Sequence, residues 1–240
     1  MAKWQVIMYH QALQINMSIP QLIAINGAGG KTSLMYALAR EALAAGLPTA
    51  VTTTTHIMRP EGADTELVEA FAADRYQAAL LAGQILVAAR PLADARYGSP
   101  GEEALSWLRR NCRMLYVEAD GAQRLPLKYP AAWEPVIPQY ATKVIVVMGL
   151  SALDKPLAET CYRYDLALRH GVPVGETADE AAIALLISSG YGRYRPTVVL
   201  NQADNAQMLA RGRKIKSLLA ESGIDKVIIA SIKEAQQCWS

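Results

Sequence analysis

The segment Gly27-Ala28-Gly29-Gly30-Lys31-Thr32-Ser33 constrains this chain more than any other. It follows a compact apolar run, residues 19–26, that reads as a buried strand. It precedes residues 31–45, where Leu34, Leu38 and Ala42 recur at helical spacing until Gly46 and Pro48 stop them. A strand, a turn of small residues and a helix opening on lysine form a phosphate-binding loop. Small residues let the backbone approach phosphate oxygens, successive N–H groups point inward, and the helix N-terminus adds positive potential. In such a loop Lys31 reaches the β/γ-phosphates and the Thr32 hydroxyl coordinates Mg²⁺. The full pattern asks for glycine at position 25, where this chain has Ile25, so the shorter G-x-x-G-K-[ST] form remains. Gly27, Ala28, Gly29, Gly30, Lys31, Thr32 and Ser33 are the expected cradle for ATP or GTP. Lys31 is expected to stand exposed in the empty loop.

Short apolar runs continue to alternate with helical patterns. Residues 48–54, 66–70, 85–89, 113–119, 143–149, 197–201 and 226–230 read as strands. Residues 72–82, 101–111, 158–169, 178–188 and 206–222 read as helices. That alternation predicts an α/β fold of three layers, a P-loop type with a mostly parallel central sheet. With 240 residues and 52% hydrophobic side chains there is material for one sizeable core. Residues 1–240 are expected to form a single P-loop nucleotide-binding domain, with residues 1–18 as a peripheral N-terminal segment. Residues 121–140 carry Pro126, Pro130, Pro135 and Pro138 and read as a long loop. It is either functional or a structural crossover pinned by Trp133 and the prolines.

Charge is nearly balanced, 24 basic against 22 acidic side chains, which gives no concentrated basic face for nucleic acid. Three cysteines without a C-x-x-C and only three histidines support neither a disulfide framework nor a zinc knuckle. The longest uncharged apolar stretch, roughly residues 76–89, is too short and interrupted to span a bilayer. The first twenty residues lack the apolar block of a signal peptide. A cytoplasmic protein with no membrane and no nucleic-acid partner is the expectation.

A phosphate loop predicts a carboxylate at the end of a neighbouring parallel strand, and Met114-Leu115-Tyr116-Val117-Glu118-Ala119-Asp120-Gly121 supplies two. In extended chain Glu118 and Asp120 point the same way. Both can face a phosphate or its metal water, and paired carboxylates suit Mg²⁺. The alternative is an acidic strand end in solvent. Glu118 and Gly121 also form an E-x-x-G pattern like a γ-phosphate-sensing turn. Lys31, Glu118 and Asp120 are the candidate catalytic residues, and Thr32, Glu118 and Asp120 the candidate metal ligands. Asn201-Gln202-Ala203-Asp204 follows an apolar strand where GTPase-like proteins read guanine with N-K-x-D. Gln202 replaces the lysine, and an ordinary Asn/Asp turn is the competing reading. Asn201 and Asp204 are candidate nucleotide contacts. Residues 52–55, all threonine, and His56 fall on the ligand side, although threonine also simply favours strands.

Together these segments resemble one family. The marks are Ala28-Gly29-Gly30-Lys31-Thr32, Thr52-Thr53-Thr54-Thr55-His56-Ile57, Val117-Glu118-Ala119-Asp120-Gly121-Ala122, Leu125-Pro126-Leu127-Lys128, Glu134-Pro135-Val136-Ile137-Pro138 and Asn201-Gln202-Ala203-Asp204. In this order they resemble the YqeC-type accessory proteins of selenium-dependent molybdenum hydroxylases. The resemblance implies a cytoplasmic P-loop protein that helps mature such an enzyme, with that hydroxylase or its cofactor-maturation machinery as partner. The chain departs from the family pattern at Asp154-Lys155-Pro156-Leu157, where Gly-Lys-Pro-Leu is usual, and at Cys161-Tyr162-Arg163, where Val-His-Arg is usual. Any job of that histidine is lost or moved here, while Arg163 keeps its match and reads either as a stabiliser of phosphate charge or as a surface helix arginine.

Three functions fit these readings. One is a Mg²⁺-dependent NTPase, hydrolysing ATP or GTP or transferring a phosphoryl group, in which positioning and electrostatics do most of the catalysis. Another is a Mur-ligase-like ATP-dependent ligase, for which the chain is short of substrate domains. The third is a non-catalytic nucleotide sensor that binds a partner protein.

Overall fold

Eight short runs of mostly aliphatic residues line up side by side in the computed structural model, which describes residues 8–59, 62–93 and 96–232. They are β1 Gln21–Gly27, β2 Thr49–Thr53, β3 Thr65–Val68, β4 Ile85–Ala88, β5 Met114–Glu118, β6 Lys143–Gly149, β7 Thr197–Asn201 and β8 Val227–Ile229. Their order across the sheet is β8-β7-β6-β1-β5-β2-β4-β3, and every neighbouring pair is parallel. Five longer helices connect them: α1 Lys31–Ala44, α2 Ala73–Leu81, α3 Glu102–Asn111, α4 Glu180–Tyr191 and α5 Ala206–Glu221.

The strands are apolar on both faces because both faces are covered, as a parallel sheet requires. Odd-numbered residues of β1 and β6 (Ile23, Ile25, Ile145, Val147) join Leu34 and Leu38 of α1 in one core. Even-numbered neighbours turn the other way. Leu22 packs with Tyr76 of α2 and Leu108 of α3, while Val146 and Met148 pack with Ile183 and Ile187 of α4 and Ile215 of α5. Helix, sheet and helix make three layers, as the alternation predicted.

The connection that matters most follows β5. In the sheet Ile25 lies opposite Glu118 of β5 on one side and Ile145 of β6 on the other. Residues 121–140 therefore cross over the end of β1 within one sheet. The strand order reverses there, and a crevice at the carboxyl ends of parallel strands at such a switch point is where α/β sheets take ligands.

Three details depart from the sequence reading. A separate antiparallel patch joins His56–Met58 to Arg96–Gly98 and Arg96–Gly98 to Arg90–Pro91; its strands are too short to leave a periodic pattern. The helix expected over 158–169 is broken into Leu157–Thr160 and Tyr164–Arg169. Arg163 between them has φ 65°, which no right-handed helix continues through. Cys161–Tyr162 instead pairs in parallel with Leu127–Lys128 of the long loop. Finally, residues 9–15 are not peripheral. Tyr9, Leu13 and Ile15 are buried against α1, and the carboxylate of Glu41 accepts from the backbone N–H of Tyr9 and His10 at 2.7 and 3.0 Å. Among the described residues no helix is long and apolar enough to cross a membrane.

Candidate functional site

β1 ends at Gly27 and α1 begins at Lys31, so the loop between them sits at the carboxyl edge of the sheet. Its tightness explains its composition. Gly29 has φ 69°, and a Cβ there would lie 2.4 Å from the Gly149 nitrogen. Gly30 has φ 119°, and a Cβ would meet Asn201 Nδ2 at 2.3 Å. No side chain caps the first turn of α1, which leaves its opening N–H groups to an anion. The loop's earlier N–H groups do not all point into an open cradle. Gly27 donates to Asp120 Oδ2 at 3.0 Å, Ala28 to the Val147 carbonyl at 2.7 Å, and Gly29 to the Leu125 carbonyl at 3.2 Å.

Lys31 is 5% exposed, not free as the sequence suggested. Its ammonium donates to the Gly27 carbonyl at 2.8 Å and lies 3.3 Å from Asp120 Oδ1 and 3.7 Å from Glu118 Oε1. The Thr32 hydroxyl donates to Glu118 Oε2 at 2.9 Å. Both carboxylates are buried, so the solvent-facing strand end is excluded. Burial pushes the Glu118 carboxyl above the usual range, and the Lys31 ammonium and the Thr32 hydrogen bond only partly oppose it.

The charges continue outward through Lys128 and Glu134, to which, as to Tyr191, the sequence reading gives no role, to Arg163, which it reads as a stabiliser of phosphate charge or a surface helix arginine. Lys128 is fully buried, its ammonium 3.2 Å from Asp120 Oδ2 and 2.8 Å from Glu134 Oε2, and it donates to the Gly121 carbonyl at 2.6 Å. Glu134 Oε2 also accepts from Arg163 Nη1. Tyr191 of α4 donates its hydroxyl to Asp120 Oδ2 at 3.3 Å. Thus Lys31, Asp120, Lys128, Glu134 and Arg163 form a line of alternating charge from the loop outward. The only sequence signal for Lys128 and Glu134 was that both lie in segments resembling family marks.

The remaining expected residues are placed as follows. Ser33 is half-buried in the first turn of α1. Asn201 donates from Nδ2 to the Gly29 carbonyl at 2.8 Å and accepts at Oδ1 from the Ile232 N–H at 3.0 Å. Its amide braces the loop. Asp204 is exposed and accepts from the Ser231 hydroxyl at 2.5 Å. The threonine hydroxyls serve the scaffold: Thr52 donates to the Ala88 carbonyl at 2.6 Å, Thr53 to the Glu118 carbonyl at 2.8 Å and Thr54 to the Val136 carbonyl at 2.8 Å. His56 lies against Gly121, where an added Cβ would meet its ring at 3.2 Å. Cys161 is buried and its thiol pushed up to about 12 by burial, which makes it inert. Trp133 does not pin the long loop, since it is 74% exposed, with the Arg163 guanidinium 5.6 Å from its ring centre. Lys128 and Glu134 are the pins.

The donor set suits a hard cation. Asp120 Oδ1 is buried and has no hydrogen-bond partner, and the Glu118 carboxylate and Thr32 hydroxyl lie beside the same lysine. Mg²⁺ needs only one or two carboxylates when phosphates and water complete its shell. Among the described residues no cluster of three or more His, Cys, Asp or Glu side chains offers a fuller metal cage.

Residues 23–165 match the family described as YqeC protein. The chain belongs to the YqeC protein family. The matched span holds the whole line of charge from Lys31 to Arg163, whereas Tyr191, Asn201 and Asp204 lie beyond it. A YqeC relative from Escherichia coli (strain K12), named "Uncharacterized protein YqeC", is 35% identical over 157 residues, which cover 60% of this chain and 58% of the relative. The match thus spans under two thirds of that YqeC protein's length. Among solved structures, the hydrogenase maturation factor HypB from Archaeoglobus fulgidus aligns over 96% of this chain and 90% of its own at 13% identity, with a TM-score of 0.41.

Proposed function

We propose that this chain is a cytoplasmic Mg²⁺-dependent nucleoside triphosphatase that assists maturation of a selenium-dependent molybdenum hydroxylase. The observation that carries the nucleotide reading is the setting of Lys31. Its ammonium sits at the opening of α1, at the sheet's switch point, with Glu118, Asp120 and the Thr32 hydroxyl around it. The first turn of α1 and Lys31 bind the terminal phosphates and offset the charge that grows on them. Thr32, Glu118 and Asp120 would hold Mg²⁺, which when bound would supply neutralisation of phosphate charge. Glu118, whose burial makes its carboxylate more basic than an exposed one, orients the attacking water and, in its ionised form, accepts a proton from it. The hydroxylase partner rests on the resemblance of this family's motifs.

One observation favours a second reading, a nucleotide sensor without turnover. Because Gly29 donates to the Leu125 carbonyl and Gly149 to the Pro126 carbonyl at 2.8 Å, a phosphate that takes the Gly29 N–H must displace this part of the long loop. Occupancy would then be read as a change of loop position. Two measurements separate the readings: the mass of nucleotide retained through purification, and phosphate release across a Mg²⁺ titration for the parent, Glu118→Gln and Asp120→Asn. An NTPase loses turnover in both variants while keeping most of its nucleotide affinity. A parent that binds ATP or GTP without releasing phosphate, even with its partner present, is a sensor. A parent that binds neither refutes both.

A further inference from the structure

Asp120 is fully buried between two lysines, and its two oxygens are treated differently. Oδ2 is saturated: the Gly27 N–H at 3.0 Å, the Tyr191 hydroxyl at 3.3 Å and the Lys128 ammonium at 3.2 Å all converge on it. Oδ1 has no hydrogen bond and faces the Lys31 ammonium at 3.3 Å. Lys128 cannot easily leave. It is fully buried, tied to the Gly121 carbonyl and Glu134, and its backbone is paired with Cys161–Tyr162. Lys31, by contrast, is held beyond Asp120 only by the Gly27 carbonyl at 2.8 Å and the more distant Glu118 Oε1 at 3.7 Å.

We infer that Lys128 is a positioning residue: the permanent counter-ion of Asp120, which lets Lys31 leave that carboxylate for the phosphates of an incoming nucleotide. The inference rests on the nucleotide reading above. A buried carboxylate stripped of its cation is strongly disfavoured. With one lysine between Glu118 and Asp120, phosphate would compete with Asp120 for Lys31. With a second lysine fixed on Oδ2, the competition falls away, and Oδ1 is left open for Mg²⁺. Glu134 and Arg163 complete the arrangement by holding Lys128 in place, so that one lysine is fixed and the other exchangeable.

The test is a double-mutant cycle on binding alone, with ATP and GTP each titrated by calorimetry in EDTA. Metal ligation by Asp120 then plays no part. Lys128→Gln keeps hydrogen-bonding capacity but removes the charge. It is expected to weaken binding about tenfold to a hundredfold, the scale of one charge-assisted contact, although Lys128 does not reach the phosphates. Asp120→Asn alone should bind within a few-fold of the parent, and the double variant should recover to about that level. A purely structural role for Lys128 predicts no rescue, so a double variant as weak as Lys128→Gln overturns the inference, as does parent-like binding by Lys128→Gln. If the single variant does not fold because it buries an uncompensated charge, the charge-balanced double variant is compared with Asp120→Asn. Equal affinities support the role and a weaker double variant refutes it. A parent that binds neither nucleotide refutes the nucleotide reading itself, and the inference with it.

Discussion

Lys31 shows how much a single side chain's burial changes what its removal should do. An exposed loop lysine can be truncated at no cost to the fold. Here the ammonium is the cation nearest Glu118 and one of the two that face Asp120, all three groups being buried. Lys31→Ala should therefore do two things. Nucleotide affinity should fall about tenfold to a thousandfold, matching the loss of one charge-assisted contact of ~1.5–3 kcal/mol. Urea denaturation without nucleotide should also show a loss of about 1–3 kcal/mol, because the carboxylates keep their burial and lose a counter-ion. Unchanged affinity would remove Lys31 from the phosphate site. Unchanged stability would mean that Lys31 is not the counter-ion the carboxylates depend on in the nucleotide-free fold.

At the scale of elements, helix α4 gives a case where two rules of opposite sign meet at one position. Gly190 lies near its C-terminal end, and alanine within a helix is ordinarily worth about 0.5–1 kcal/mol over glycine. A Cβ at Gly190, however, would lie 2.6 Å from Pro130 Cδ and 3.1 Å from its Cγ. Overpacking of this kind costs about 1–3 kcal/mol, so packing outweighs propensity. Gly190→Ala should lower stability by about 1 kcal/mol or more in denaturant titration, and a gain would show that the loop at Pro130 yields freely. The same loop marks the limit of what the sequence carries. The glycine loop, Glu118 and Asp120 are legible because each depends on a strand, its end and the next few residues. Lys128, Glu134 and Arg163 come together only through the parallel pairing of Leu127–Lys128 with Cys161–Tyr162, a long-range contact with no local period. Trp133 misled because a large aromatic in a proline-rich loop suggests a core anchor, whereas two charged residues do the anchoring. Asn201 was legible by place but not by role. Its amide is engaged by the Gly29 carbonyl and the Ile232 N–H, which a pattern of letters does not reveal.

Across the whole molecule, the carboxylates of Glu180, Glu134 and Glu118 divide into two groups with opposite effects on acid stability. Arg211 of α5 hydrogen-bonds the Glu180 carboxylate of α4 at 3.1 and 3.2 Å and holds it below its ordinary value near 4.5. Burial alone would raise Glu134, but Lys128 and Arg163 outweigh it and hold it low as well. A carboxylate with a lowered folded-state pKa stabilises the fold above its unfolded value. That contribution disappears as pH falls through the folded value. Glu118 has the opposite sign, because burial raises its folded-state pKa above 4.5. Its ionisation opposes folding, fully so above the raised value, and the cost vanishes as pH falls below about 4.5. Glu180→Gln should therefore lower the melting temperature at pH 7, by an amount equivalent to about 0.5–1 kcal/mol after solvent screening, and the gap from the parent should close towards pH 3. Glu118→Gln should raise the melting temperature at pH 7, with its gap also closing in acid, while impairing phosphate release. A pair of thermal melts against pH checks both signs. If Glu118→Gln is instead less stable than the parent at pH 7, the lysine and threonine partners outweigh burial, and Glu118 is a weakly basic carboxylate, better suited to ligation than to accepting a proton.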